Sequence, residues 1–153
     1  MKHKTMFLFL VMIAAVILLA ACGGGENTPD SAVGADGVPV LMVGEKSYTA
    51  AELEGMAQVE ASFKGVSYVG VPAAELLADA GYDLASVRAI KAVAADGYSV
   101  NYEPDVLSPA DVIVAYAQVD GALSADDGDF RMVLPDQEGN MNLRMMVEMQ
   151  VVE

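Results

Sequence analysis

The chain has 153 residues, 22 acidic and eight basic, for a formal charge of −14. Its one histidine is His3 and its one cysteine is Cys22. The sequence beyond Cys22 therefore holds no Ser/His or Cys/His nucleophilic site and no zinc site of nitrogen and sulfur ligands, and so acidic a surface repels nucleic acid and anionic lipid headgroups. Proton transfer near neutral pH would fall to a carboxylate, lysine or tyrosine of shifted pKa.

Lys2, His3 and Lys4 make a charged start, Met6 to Ala21 is almost wholly apolar, and small residues precede Cys22. That is the three-part layout of a secretory signal, and the run is shorter than the ~20 residues that cross a bilayer. Leu19-Ala20-Ala21-Cys22 resembles the lipobox of bacterial lipoproteins, in which the cysteine is lipidated and becomes the first mature residue. The resemblance implies a signal peptide over residues 1–21 and a diacylglyceryl thioether on Cys22. Two acyl chains suffice for stable anchoring where one does not. It also implies a thiol closed to disulfide or metal chemistry, and a domain held on the extracytoplasmic face of a cell membrane or envelope. The other reading is an uncleaved transmembrane anchor with an incidental cysteine. Loss of the leader removes Lys2 and Lys4, leaving six basic against 22 acidic residues, a charge of −16. Residues 22–37 then form a tether: GGGENTPDSAVGADG follows Cys22 without an apolar pattern. About 15 flexible residues reach roughly 20 Å; plain disorder with no spacing role fits the same composition. Residues 38–153 suffice for one domain with one core.

Within that domain Val38 to Val43 is a short apolar run closed by Gly44, a first strand. Thr49-Ala50-Ala51-Glu52 is a capping-box pattern that starts a helix through about Met56. Val59, Ala61 and Phe63 alternate with Glu60, Ser62 and Lys64, the period of a half-buried strand, and Tyr68 to Val71 continues the extended chain. Pro72 opens a helix with Leu76, Leu77 and Ala80 as its buried stripe, and Gly81 ends it in a left-handed cap. Val87 to Ala94 is a central strand, Asp96-Gly97 a tight turn, and Tyr98 to Tyr102 the return strand. Pro104 and Pro109 bracket a loop or a single helical turn. Val112 to Val119 is a strand followed by an Asp120-Gly121 turn, Phe130 to Leu134 another that stops at Pro135, and Asp136 to Asn140 a turn. Met141 to Val152 alternates, with Leu143, Met145, Val147, Met149 and Val151 on one face and Arg144, Met146, Glu148 and Gln150 on the other. The fold class is α+β: a mixed β-sheet domain with short helices.

The segments YTAAELEGM, YVGVPAAELLADAGYD, AVAADGYSVNY, DVIVAYAQVDGALS and FRMVLPDQEGNMNLRMMVEMQVV follow one another in this order. Together they resemble the molybdopterin-binding domain of the sulfite oxidase type, from about Ser47 to Val152. The most specific pieces are Gly70-Val71-Pro72 before the Leu76-Leu77 helix, the Asp96-Gly97-Tyr98-Ser99 hairpin, and the late turn flanked by Arg131 and Arg144. The resemblance implies that fold in reduced form, with molybdopterin as the cofactor it brings to mind. Active members ligate molybdenum through a cysteine upstream of the Gly-Val-Pro segment; here AQVEASFKGVSYVGVP contains none. A phosphate-bearing pterin with an oxometal centre is strongly anionic and needs concentrated cations. Lys46, Lys64, Arg88, Lys91, Arg131 and Arg144 are the whole supply, and they are scattered. No cofactor is expected on this reading, and the domain is a non-catalytic module that binds a small ligand or an envelope protein partner. The alternative is a small molybdopterin-dependent oxidoreductase, or a subunit completed by a partner.

The resemblance places Tyr98, Arg131, Arg144 and Gly70 at a cofactor cleft. Each also has a plainer reading. Tyr98 packs beside a turn that demands glycine, Arg131 and Arg144 pair with the abundant carboxylates, and Gly70-Val71-Pro72 leads into a helix. Asp126, Asp127 and Asp129 around Gly128 offer oxygen ligands of the kind calcium takes, without EF-hand spacing; a solvated loop explains them. Met141, Met145, Met146 and Met149 offer thioethers of the kind copper(I) selects. Core packing explains the first, second and fourth, and Met146 would face the other way.

Overall fold

A computed structural model describes residues 32–153. The leader and Cys22 lie outside the described residues. Ala32 to Gly37, inside the predicted tether, fold back on the domain. Gly34 N donates to Val38 O, Val40 N donates to Ala32 O, and Val33 bridges Pro39.

Two sheets carry the fold. The first runs in the order β2-β1-β10-β5-β6, with β1 (Val40–Val43), β2 (Lys46–Thr49), β5 (Ala89–Ala94), β6 (Ser99–Tyr102) and β10 (Met146–Val152). It is mixed, because β1 pairs parallel with β10 while every other neighbour is antiparallel. The second sheet is antiparallel, β3 (Val59–Phe63), β4 (Val66–Pro72), β7 (Ile113–Gln118) and β8 (Gly121–Ala122), with β9 (Arg131–Val133) paired to β7. Three short helices join them: α1 (Ala50–Glu54), α2 (Ala73–Asp79) and α3 (Pro104–Leu107).

The predicted caps form. The Thr49 hydroxyl accepts from Glu52 N, and the Glu52 carboxylate accepts from Thr49 N at 2.7 Å, closing both halves of the capping box. At the end of α2, Tyr82 N reaches Leu77 O and Gly81 N reaches Ala78 O, the paired bonds of a Schellman cap. Leu41, Leu53, Leu76, Leu77, Ile90 and Tyr102 are fully buried in the main core. A smaller apolar cluster of Ala61, Tyr68, Ile113, Ala115 and Val133 covers the other face of the second sheet.

Two expectations are corrected. The chain does not run on extended from Phe63 to Tyr68. Lys64 (φ 50°) and Gly65 (φ 82°) form a two-residue turn that pairs Phe63 with Val66. Two successive positive φ angles give the twist a tight hairpin needs. The alternation of Met141 to Val152 also fails. Met145 takes φ 52°, and the pairing with β5 slips between Met146 and Glu148. Both shift the phase of the strand, so Met146 is buried at 1% exposure while Met145 stands out at 39%. A strand from Lys46 to Thr49, not anticipated, pairs with β1 across the Gly44-Glu45 turn.

Candidate functional site

Alternation along β9 sends Met132 into the main core and leaves Arg131 and Val133 on the opposite face, where Tyr68 of β4 lies. Arg131 is only 4% exposed. Its Nη1 donates to Asp127 Oδ1 at 2.5 Å and to the Tyr68 hydroxyl at 2.7 Å, and the guanidinium lies 4.5 Å from the Tyr68 ring centroid. The other Asp127 oxygen accepts from the Ser124 hydroxyl at 2.7 Å. Asp127 is itself 5% exposed. A buried charge survives only when paired and hydrogen-bonded, and this pair meets both conditions within the chain.

The loop from Pro135 to Met145 is fixed by side chains along its length and by backbone bonds at its far end. Buried Asn142 accepts from Leu134 N at 2.7 Å and donates to Leu134 O at 3.2 Å and Glu138 O at 3.1 Å. Those bonds replace the ladder that the irregular loop cannot form. The Tyr102 hydroxyl donates to Met141 O at 2.5 Å from beneath. Burial pushes the Tyr102 phenol well above the ordinary tyrosine range. At the far end Met145 N donates to Asp127 O and Ala95 N donates to Met145 O. The left-handed Met145 is therefore clamped between the Asp127 loop and the β5–β6 turn.

Two adjoining clefts result, sharing Gly139, Asn142 and Arg144. The larger, about 420 Å³, lies between the Lys64 hairpin with Tyr68 and the Asp127–Arg131 pair. The smaller, about 210 Å³, has Asp96, Tyr98, Asp126 and Met145 in its walls. Tyr98 is 53% exposed, and its N–H donates to Asp96 Oδ1 at 2.9 Å. Arg144 is exposed and makes no ion pair among the described residues.

The structure thus brings Tyr98, Arg131 and Arg144 to one neighbourhood, with Arg144 common to both clefts. Gly70 lies elsewhere, buried in mid-β4, where a Cβ would collide with the Val114 carbonyl and the Ala115 Cα of β7. Its missing side chain admits the neighbouring strand. Cys22 lies outside the described residues. Asp127, read as part of a solvated acidic loop, is instead the buried partner of Arg131. Among the described residues no group of His, Cys, Asp or Glu converges to hold a metal ion. Sequence reasoning also missed Tyr68, Asn142 and Lys64. A Lys-Gly step between two alternating stretches was an available turn signal for Lys64; nothing marked Asn142.

A mixed sheet and an antiparallel sheet around one core, with clefts where a late irregular loop meets two hairpin turns, define an α+β domain. Residues 40–153 match the family described as oxidoreductase molybdopterin binding domain, and the chain belongs to it. The crystal structure of the sulfane dehydrogenase SoxCD from Paracoccus pantotrophus is similar, with a TM-score of 0.63 at 22% identity over 74% of this chain. This chain spans 38% of the length of that one. No curated protein matches the chain.

Whether the clefts suit the family's cofactor is a question of charge and donor type. Lys64, Arg131 and Arg144 are matched around the two clefts by Asp96, Asp126 and Asp127, so no excess of positive charge awaits an anionic pterin phosphate. Arg131 is already committed to Asp127, and no thiolate sulfur exists between residues 32 and 153. These residues do not fit a molybdenum centre held by protein thiolate.

Proposed function

We propose that this protein is a lipid-anchored, extracytoplasmic binding module built on the molybdopterin-binding scaffold, and that it is not itself a redox enzyme. The observation that carries this reading is the Asp127–Arg131 ion pair. An internal carboxylate takes up the one buried cation among the described residues, which a cofactor phosphate or an oxyanion would need. Available to a ligand are the exposed ring of Tyr98 and the guanidinium of Arg144, which makes no ion pair among the described residues. A planar anionic ligand can lie on the first and bond to the second. A peptide segment of an envelope protein partner carrying a carboxylate meets the same requirements. The lipobox-like Leu19-Ala20-Ala21-Cys22 and the glycine-rich, unpatterned stretch after it support a position at the membrane surface.

Family membership favours a second reading, a small molybdopterin-dependent oxidoreductase or a subunit of one, with its metal ligand supplied from another chain. One experiment separates the two. The lipoprotein is purified from its own membranes, and molybdenum is measured by mass spectrometry and pterin by fluorescence after oxidation. Absence of both from a folded sample is the expected result. Stoichiometric molybdenum with pterin would overturn the binding-module reading, and loss of that pterin on Arg144→Ala would place it in the cleft described above.

A further inference from the structure

A third cleft, of about 600 Å³, opens where the residues leading into β1, α1, the strands of the β7–β8 hairpin and the loop before β9 meet. Pro39, Ala51, Leu123 and Phe130 give it mostly carbon walls. This is the size and character of a small-molecule site. Two independent features say what would occupy it.

Tyr116 stands in its wall, nine-tenths buried, and its hydroxyl has no hydrogen-bond partner among the described residues. A buried phenol ordinarily finds one. The bulge in β7 puts it there. Val69 pairs with Ala117 and Gly70 with Ala115, so Tyr116 is the extra residue between them. The charged side chains in the cleft wall are Glu54 and Asp129; no lysine or arginine lines it. Burial first, and the Glu54 charge second, hold the Tyr116 phenol above its ordinary range, so the hydroxyl stays protonated. The Glu54 and Asp129 carboxylates in the wall repel anions, and the neutral hydroxyl offers an oxygen to a cationic donor.

We propose that this cleft binds a small organic ammonium compound. Its apolar body fills the space between α1 and Phe130, and its head lies against Glu54 and Asp129 and donates to the Tyr116 hydroxyl oxygen. This proposal stands apart from the fate of the Arg131–Arg144 clefts, with which the third cleft shares no lining residue.

The test is calorimetric titration of the full chain in zwitterionic nanodiscs, with empty nanodiscs as blank. The probes are 2-phenylethylamine, 2-phenylethanol and 3-phenylpropionate, which differ mainly in head charge. The ammonium should bind about ten-fold more tightly than the carboxylate, with the alcohol between them. Glu54→Gln should shrink the advantage of ammonium over alcohol. Tyr116→Phe should weaken the ammonium by about three-fold while leaving the unfolding midpoint in place. Ala51→Trp, on an exposed helix position, fills the cleft without touching the core and should abolish binding. Equal or tighter binding of the carboxylate, no heat above blank with any probe, or binding indifferent to both Tyr116→Phe and Ala51→Trp would each overturn the proposal.

Discussion

The Arg131 cleft and the Tyr116 cleft lie on one domain and handle buried polar groups in opposite ways. At Arg131 the buried charges are matched from within: guanidinium Nη1 to carboxylate and phenol, carboxylate to serine. At Tyr116 a hydroxyl is buried and left without a partner among the described residues, in a mostly carbon wall. The first arrangement holds its charge in a closed pair, and an anion seeking Nη1 would have to displace Asp127. The second is incomplete in a way that a ligand can complete. A cleft therefore announces a binding function less by its charges than by the polar groups the chain itself leaves unmatched.

The sharpest way to break this comparison is to remove one half of the matched pair. Asp127→Ala leaves a buried arginine without its counter-charge and should cost about 3–5 kcal/mol in urea unfolding. Combining it with Arg131→Met should recover most of that loss. A small effect of the single change would mean that Arg131 reaches water. Next in size, Asn142→Ala strands the Leu134 N–H and frees the loop, at about 1–3 kcal/mol by the same measurement.

A pH series probes the floor beneath that loop. The Tyr102 phenol has its pKa raised by burial, so its stabilising contribution is complete below the unfolded value near 10 and is lost as pH rises beyond it. Stability should fall by up to about 1.4 kcal/mol per pH unit above that point, and Tyr102→Phe should flatten the decline in melting temperature between pH 9 and 12. The smallest effect is the most diagnostic for the unmatched side. Tyr116→Phe removes a hydroxyl that bonds to nothing and should change stability by no more than about 0.5 kcal/mol. Tyr68→Phe takes a partner from Arg131 and should cost about 1–3 kcal/mol. Equal losses at the two tyrosines would erase the distinction.

Most of the elements could be read in the sequence because they rest on local chemistry. The Thr49–Glu52 box, Gly81 after the Leu76-Leu77 stripe, and the Asp96-Gly97 turn all act within a few residues, and all appear where expected. The neighbourhood of Tyr98, Arg131 and Arg144 was legible through the order of segments that resembles the family. Its charge state was not. Asp127 and Arg131 are four apart outside any helix, a spacing that signals nothing, and their pairing depends on Tyr68 arriving from a distant strand. The phase of β10 was illegible for a different reason. No sequence rule marks a methionine for the left-handed region, and Met145 is held there by hydrogen bonds to Asp127 and Ala95 that belong to the assembled fold.

The parallel pairing of β1 with β10 governs the order in which this domain can be completed. β10, the latest of the described strands in chain order, is not an edge of its sheet; it sits between β1 and β5, with Met42 beside Glu148 on one flank and Val93 on the other. Until it arrives, the β1–β2 and β5–β6 hairpins have no sheet to share and their facing edges stay open. Vectorial synthesis thus leaves these two hairpins unjoined until β10 has emerged, so the first sheet closes late.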